Sequence, residues 1–157
     1  MKYQTIQTIQ TTRTIYFDMD GTIADLYGYT GWLQELRSNN CAPYAKAAPL
    51  LKLQPLARRL NKLKEAGWEL GIVSWLSKTS TAEYDEAVTQ AKRKWLATHL
   101  KSVQWDEIHI VPYGTPKQEI VNNPNGILFD DEEQNRNNWK GKAFSEKEIM
   151  KVLKAIA

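Results

Sequence analysis

The stretch Thr14-Ile15-Tyr16-Phe17-Asp18-Met19-Asp20-Gly21-Thr22 decides the reading of this chain. Its first four residues form a run without polar alternation that stops abruptly at an acid. Such a run suits a strand buried on both faces of a parallel sheet. Asp18 and Asp20 stand two apart at the strand's end, so their side chains project to one side and can converge on a single ligand. Gly21 lets the backbone turn sharply there and approach a phosphate closely.

Working outward, three further runs have the same character. They are Leu70–Val73 before Ser74, Ile108–Val111 before Pro112, and Ile127–Phe129 before Asp130. Helical patterns lie between them. Pro55 opens one at a first turn, with Leu56, Leu60 and Leu63 on its inner stripe and Gly67 closing it. Glu83–Leu100 carries Tyr84, Val88, Ala91 and Trp95 on one stripe, with Lys92, Arg93 and Lys94 expected mostly to face away. Ser145 and Glu148 form a capping box for a last helix whose inner residues are Ile149, Val152, Leu153 and Ile156. Strands alternating with helices predict an α/β fold, a Rossmann-like three-layer α/β/α arrangement of about five parallel strands. The Asp18 strand is expected at the centre, between those ending at Ser74 and Asp130, with a short fifth strand near Lys142–Phe144. Ligands of such sheets bind at the carboxyl ends of the strands, where all these polar residues fall.

The 157 residues suit one domain, here 13–157, preceded by a Thr/Gln/Ile-biased extension at 1–12 to which no chemistry is assigned. Cys41 is the only cysteine, and His99 and His109 are the only histidines. That excludes an internal disulfide and disfavours zinc, and it points any metal site toward a hard cation with oxygen ligands. No apolar run is long enough to span a membrane, and Lys2 is followed by no apolar stretch, so a cytoplasmic protein is the expectation. The net charge of +3 permits an anionic substrate without demanding nucleic acid.

Four groups are candidates for one crevice. They are the Asp18/Asp20 pair, the hydroxyl of Ser74, the point charge of Lys117, and the Asp130-Asp131 pair. Like charges about 4 Å apart repel by roughly 4 kcal/mol per pair at an effective dielectric near 20. Lys117 alone does not offset four carboxylates, so a bound divalent cation is expected, and all-oxygen ligation favours Mg²⁺. Taken singly, each group has an ordinary reading as a turn residue, a solvated lysine or the start of an acidic stretch.

In order along the chain, DMDGT after a strand, the strand-end Ser74, Lys117 and the FDD pair resemble the four motifs of the haloacid dehalogenase-like superfamily. The resemblance spans about Thr14 to Asp131. It implies a phosphatase working through a phosphoaspartyl intermediate, with Asp18 as nucleophile and Asp20 as the acid and then the base. The catalytic set so implied is Asp18, Asp20 and Lys117. Phosphate or substrate would be met by Gly21, Thr22, Ser74, Trp75, Tyr27 and Tyr29, and Mg²⁺ by Asp18, the Asp20 carbonyl, Asp130 and Asp131. Asp20 distinguishes the phosphatases of the superfamily from its dehalogenases, which lack that acid.

Between the motifs the inserts are short. Roughly Ile23 to Gln54 is left for a flap or very small helical cap, so a comparatively open site is expected. Tyr27, Tyr29, Trp32 and Tyr44 in this insert suit stacking on a nucleobase, although Trp32 with Leu33 and Leu36 equally suits a helix packed on the core. A nucleoside monophosphate, on the pattern of the superfamily's deoxyribonucleotidases, is the first substrate expectation. A 3′-phosphorylated polynucleotide end is the second, permitted by the open site and the basic stretch Lys92-Arg93-Lys94. A catalytically silent binding module on the same fold is the third, disfavoured by the complete acidic set. Asn135 is expected at the surface, with a place beside the metal ligands as the alternative, and Glu132 and Glu133 as solvated or helix-starting charges.

Overall fold

The computed structural model describes residues 13–78 and 80–156, so the extension at 1–12 lies outside the described residues. Strands β1 (Thr14–Phe17), β4 (Glu69–Trp75), β5 (Glu107–Val111), β6 (Ile127–Phe129) and β7 (Ala143–Phe144) form one sheet in the order β5-β4-β1-β6-β7. Every pairing in it is parallel. β1 is central, flanked by the strands that carry Ser74 and lead to Asp130, as the sequence predicts. The remaining strands, β2 (Ala24–Asp25) and β3 (Ala48–Pro49), pair antiparallel as a separate ribbon.

Side-chain alternation along β1 sends residues to two layers. Ile15 and Phe17 join one core with Leu56, Leu60 and Leu63 of α3 (Leu53–Glu65), Trp95 and Leu96 of α4 (Ala82–His99), and Ile149 and Leu153 of α7 (Ile149–Ala155). Tyr16 points to the opposite face, with Val73, Leu128, Val121 and Trp139. That second face also carries the short helices α5 (Lys117–Ile120) and α6 (Glu133–Asn138). The result is a three-layer α/β Rossmann-like fold. Among the described residues no helix is long and apolar enough to cross a membrane.

Local signals explain the element ends. Gly67, at φ +99°, terminates α3: its amide donates to the Lys64 carbonyl and the Trp68 amide to the Leu63 carbonyl, the Schellman pattern. Thr81 caps α4 by accepting from the Tyr84 amide. The expected capping box at Ser145 does not form. Its side chain makes no cap bond, and residues Glu146–Glu148 wind first as a 3₁₀ turn before α7 begins. The tighter winding takes the Glu148 amide back to the Ser145 carbonyl, which replaces the hydroxyl as acceptor.

The segment between β1 and α3 contains the ribbon and two short helices, α1 (Trp32–Arg37) and α2 (Ala42–Ala45). It rests on α4. The first half of that helix packs Tyr84, Val88 and Ala91 against Leu26, Tyr44 and Leu76, while its second half packs Trp95 and Leu96 into the sheet's core. One 18-residue helix thus ties the insert to the sheet. α1 fully buries no residue: Leu36 packs partly buried against the Leu26, Tyr44 and Val88 cluster, and Trp32, Leu33 and Leu36 line a cavity.

Candidate active site

The strand ends converge as the sheet order requires. Asp18 follows β1 directly, and its amide donates to the Phe129 carbonyl of β6, which holds it beside Asp130. Lys117, the first residue of α5, is 3% exposed and donates to Asp18 Oδ1 at 3.0 Å and to Asp130 Oδ2 at 2.7 Å. Burial works against its ammonium charge, but the two carboxylates outweigh burial and hold its pKa up. Thr22 Oγ1 donates toward Asp18 Oδ2 at 3.0 Å and lies 3.3 Å from Asp131 Oδ1, and it accepts from the Asp131 amide. One oxygen from each of Asp18, Asp130 and Asp131 lies within 4.8 Å of the others, a grouping that could hold a metal ion. The donor set is all oxygen, which suits Mg²⁺.

The second acid of the motif has a partner that the sequence reading placed outside. Lys92, read as facing away with Arg93 and Lys94, is 1% exposed. Its Nζ donates to Asp20 Oδ2 at 2.8 Å, Ser74 Oγ at 2.7 Å and the Trp75 carbonyl at 2.6 Å. The signal was available: Lys92 is four residues past Val88 and eight past Tyr84, on the inner stripe of α4. A charged residue on a buried stripe is discounted by hydropathy, and that hid it. The correction changes the site's electrostatics. Four carboxylates now face two ammonium groups, and the remaining two negative charges equal the charge of one divalent cation. Without a cation, burial raises the pKa of Asp130 and Asp131, the neighbouring Asp18 charge adding to it. Burial likewise raises Asp20, against the pull of Lys92.

The other expected phosphate contacts divide. Gly21 makes the sharp turn, at φ +80°, and a side chain there would collide with Asp131 and Tyr27. Its amide, however, donates to the Ala24 carbonyl, and the Thr22 hydroxyl serves the carboxylates, so both groups are engaged within the protein. Ser74 is fully buried beneath Lys92 and does not line the cavity. Ser77, three residues on, does line it, and its buried Oγ has no hydrogen-bond partner among the described residues. Asn135, expected at the surface, is buried and donates to Asp130 Oδ2 at 3.2 Å, because α6 folds back under the strand end.

Above these groups lies a cavity of about 500 Å³. Its floor holds Asp18, Asp20, Lys117, Asp130 and Asp131, and its walls include Tyr27, Trp32, Leu36, Tyr44, Trp75 and Tyr113. Tyr27 and Trp32 meet edge to face at 5.0 Å, and Trp75 and Tyr113 lie 4.9 Å apart. Trp75 also places its ring 5.2 Å from Lys117 Nζ and donates its indole N–H to the Thr115 carbonyl. Tyr29 is not part of this wall. It borders a second cavity instead, with Gly28, Thr30 and Lys46.

No protein-family model and no curated protein matches the sequence. Among solved structures the chain is similar to that of D,D-heptose 1,7-bisphosphate phosphatase from Burkholderia thailandensis, at 13% identity and a TM-score of 0.49, over 80% of this chain and 70% of that one.

Proposed function

We propose that this chain is a Mg²⁺-dependent phosphomonoesterase of the haloacid dehalogenase-like type, with Asp18 as nucleophile and a nucleoside monophosphate as substrate. The observation that carries the reading is the junction of Asp18, Lys117 and the Asp130/Asp131 pair at the floor of an aromatic-walled cavity.

The chemistry follows from the positions. Asp18 attacks phosphorus through its carboxylate, the bond to the ester oxygen breaks, and Asp20 gives that oxygen its proton. Asp20, now a carboxylate, takes a proton from the water that attacks the aspartyl phosphate, and inorganic phosphate leaves. Lys117 orients Asp18 and faces the transferring group, where it offsets charge on the equatorial oxygens. Ser77 is the cavity-wall hydroxyl with a free donor for one of them. Asp18, Asp130, Asp131 and the Asp20 carbonyl would hold a divalent cation, which would supply the missing two charges and offset charge on the phosphoryl oxygens.

The rings of Tyr27, Trp32, Tyr44, Trp75 and Tyr113 along the cavity support a flat body such as a nucleobase. The polynucleotide reading loses part of its support, because Lys92 is buried and only Arg93 and Lys94 of the basic stretch are exposed.

The test is phosphate release from nucleoside monophosphates, sugar phosphates and a 3′-phosphorylated oligonucleotide, with Mg²⁺ or chelator, by wild type and Asp18→Asn. Release that needs Mg²⁺, is lost in Asp18→Asn and is fastest on a nucleotide is the expected result. Release by Asp18→Asn at the wild-type rate would refute the mechanism.

A further inference from the structure

A buried lysine is retained at a cost unless it is fully paired, and replacing such a group by an apolar one often leaves stability unchanged or higher. Lys92 therefore calls for a functional account. An ammonium has three donors and no acceptor. All three donors of Lys92 are used, and they join groups from different elements: Asp20 beyond β1, and Ser74 and the Trp75 carbonyl on β4. The Tyr44 ring of α2 stands 5.0 Å from the same Nζ, so the insert covers it.

The consequence falls on Asp20. Lys92 holds its Oδ2, and among the described residues Oδ1 has no hydrogen-bond partner. Asp20 also lines the cavity. The carboxyl group is thus gripped by one oxygen and presents the other. Because Lys92 cannot accept, the Ser74 proton is also turned toward some other acceptor, and the strand end is locked in one arrangement.

We propose that Lys92 is the positioning residue for Asp20, fixing which carboxyl oxygen exchanges a proton with the ester oxygen. This rests on the phosphatase reading above. The helix that carries Lys92, α4, also packs Tyr84 and Val88 against the insert.

The experiment uses two esters of one shape, 4-nitrophenyl phosphate and 4-methylphenyl phosphate, which differ in how much the departing oxygen needs a proton. General acid catalysis contributes about 10²–10⁴-fold where the leaving group is poor. Lys92→Met is expected to lower kcat/KM at least roughly ten-fold more on the 4-methylphenyl ester than on the 4-nitrophenyl ester. In an Asp20→Asn background the same substitution should have no leaving-group-dependent effect. Equal losses on the two esters, or a selective loss that persists without Asp20, overturn the proposal. Should Lys92→Met fail to give a cooperative melt, Lys92→Gln serves with the same expected and refuting outcomes. Absence of release from both esters by wild type in Mg²⁺ refutes the phosphatase reading itself, and this inference with it.

Discussion

Lys117→Met is the perturbation whose size the structure lets one work out. The ammonium lies 3.0 Å from Asp18 Oδ1 and 2.7 Å from Asp130 Oδ2, with all three side chains at 9% exposure or less. At an effective dielectric near 20, each contact is worth about 5–6 kcal/mol of Coulomb attraction, most of it opposed by desolvation. Removing one partner of such a pair leaves buried charge uncompensated, at a net cost of about 3–5 kcal/mol. For a domain of this size that is a fall in melting temperature of roughly 10 °C. The assay is thermal unfolding by circular dichroism in chelator at pH 7.5, repeated in Mg²⁺. Methionine keeps the length of the side chain, so packing changes little. In Mg²⁺ part of the loss should return, and the Mg²⁺-induced rise should be larger in the variant than in wild type, since the site then lacks three charges rather than two. Lower pH should also narrow the gap. The Asp130 pKa is raised by burial and by Asp18, so the folded state binds a proton more readily than the unfolded one, and stability in the variant rises as pH falls. A shift below about 3 °C in chelator, with no added response to Mg²⁺, would refute the electrostatic account given for this site.

Two further predictions concern the scaffold. Gly71→Ala should destabilise by roughly 3 kcal/mol, read as a denaturation midpoint, because its Cβ would meet the Tyr16 ring at 2.5 Å. That ring cannot step aside, since its hydroxyl donates to Glu107 Oε2 and accepts from the Asn123 amide; Tyr16→Leu in the same chain should recover part of the loss. Asp106 accepts from Lys64 Nζ at 2.7 Å and the Leu70 amide at 2.8 Å. Burial pushes its pKa up, yet these bonds together outweigh burial and hold it below the usual carboxylate value. The stability it contributes is present above the unfolded pKa and lost as pH falls through the folded one. Asp106→Asn should therefore cost about 1 kcal/mol at neutral pH and progressively less in acid, and an equal cost at pH 3 and pH 7 would count against it.

The sequence by itself determined the sheet and the order of its central strands. The runs at Thr14–Phe17, Leu70–Val73 and Ile127–Phe129 have no polar alternation to misread, and Asp18, Ser74 and Asp130 follow them at the carboxyl edge. That put Asp18, Lys117 and Asp130 at one edge, where the structure has them in contact. The short strand at Ala143–Phe144 falls where a fifth strand was expected, although two half-buried residues carry no such run signal. Only the tertiary structure decided the partners. Lys92 reads as one of three basic residues in a row until α4 is turned against the sheet, and its burial depends on Asp20 and Ser74 arriving from other elements. Ser74 reads as the phosphate hydroxyl, but it accepts from Lys92 and does not line the cavity, whereas Ser77 does. Tyr27 and Tyr29 are two residues apart, and the turn between them sends one to the cavity and the other away from it. Strand and helix signals are local and survive in one dimension. The pairing of a buried charge is a relation between distant segments, and it exists only once the chain has packed.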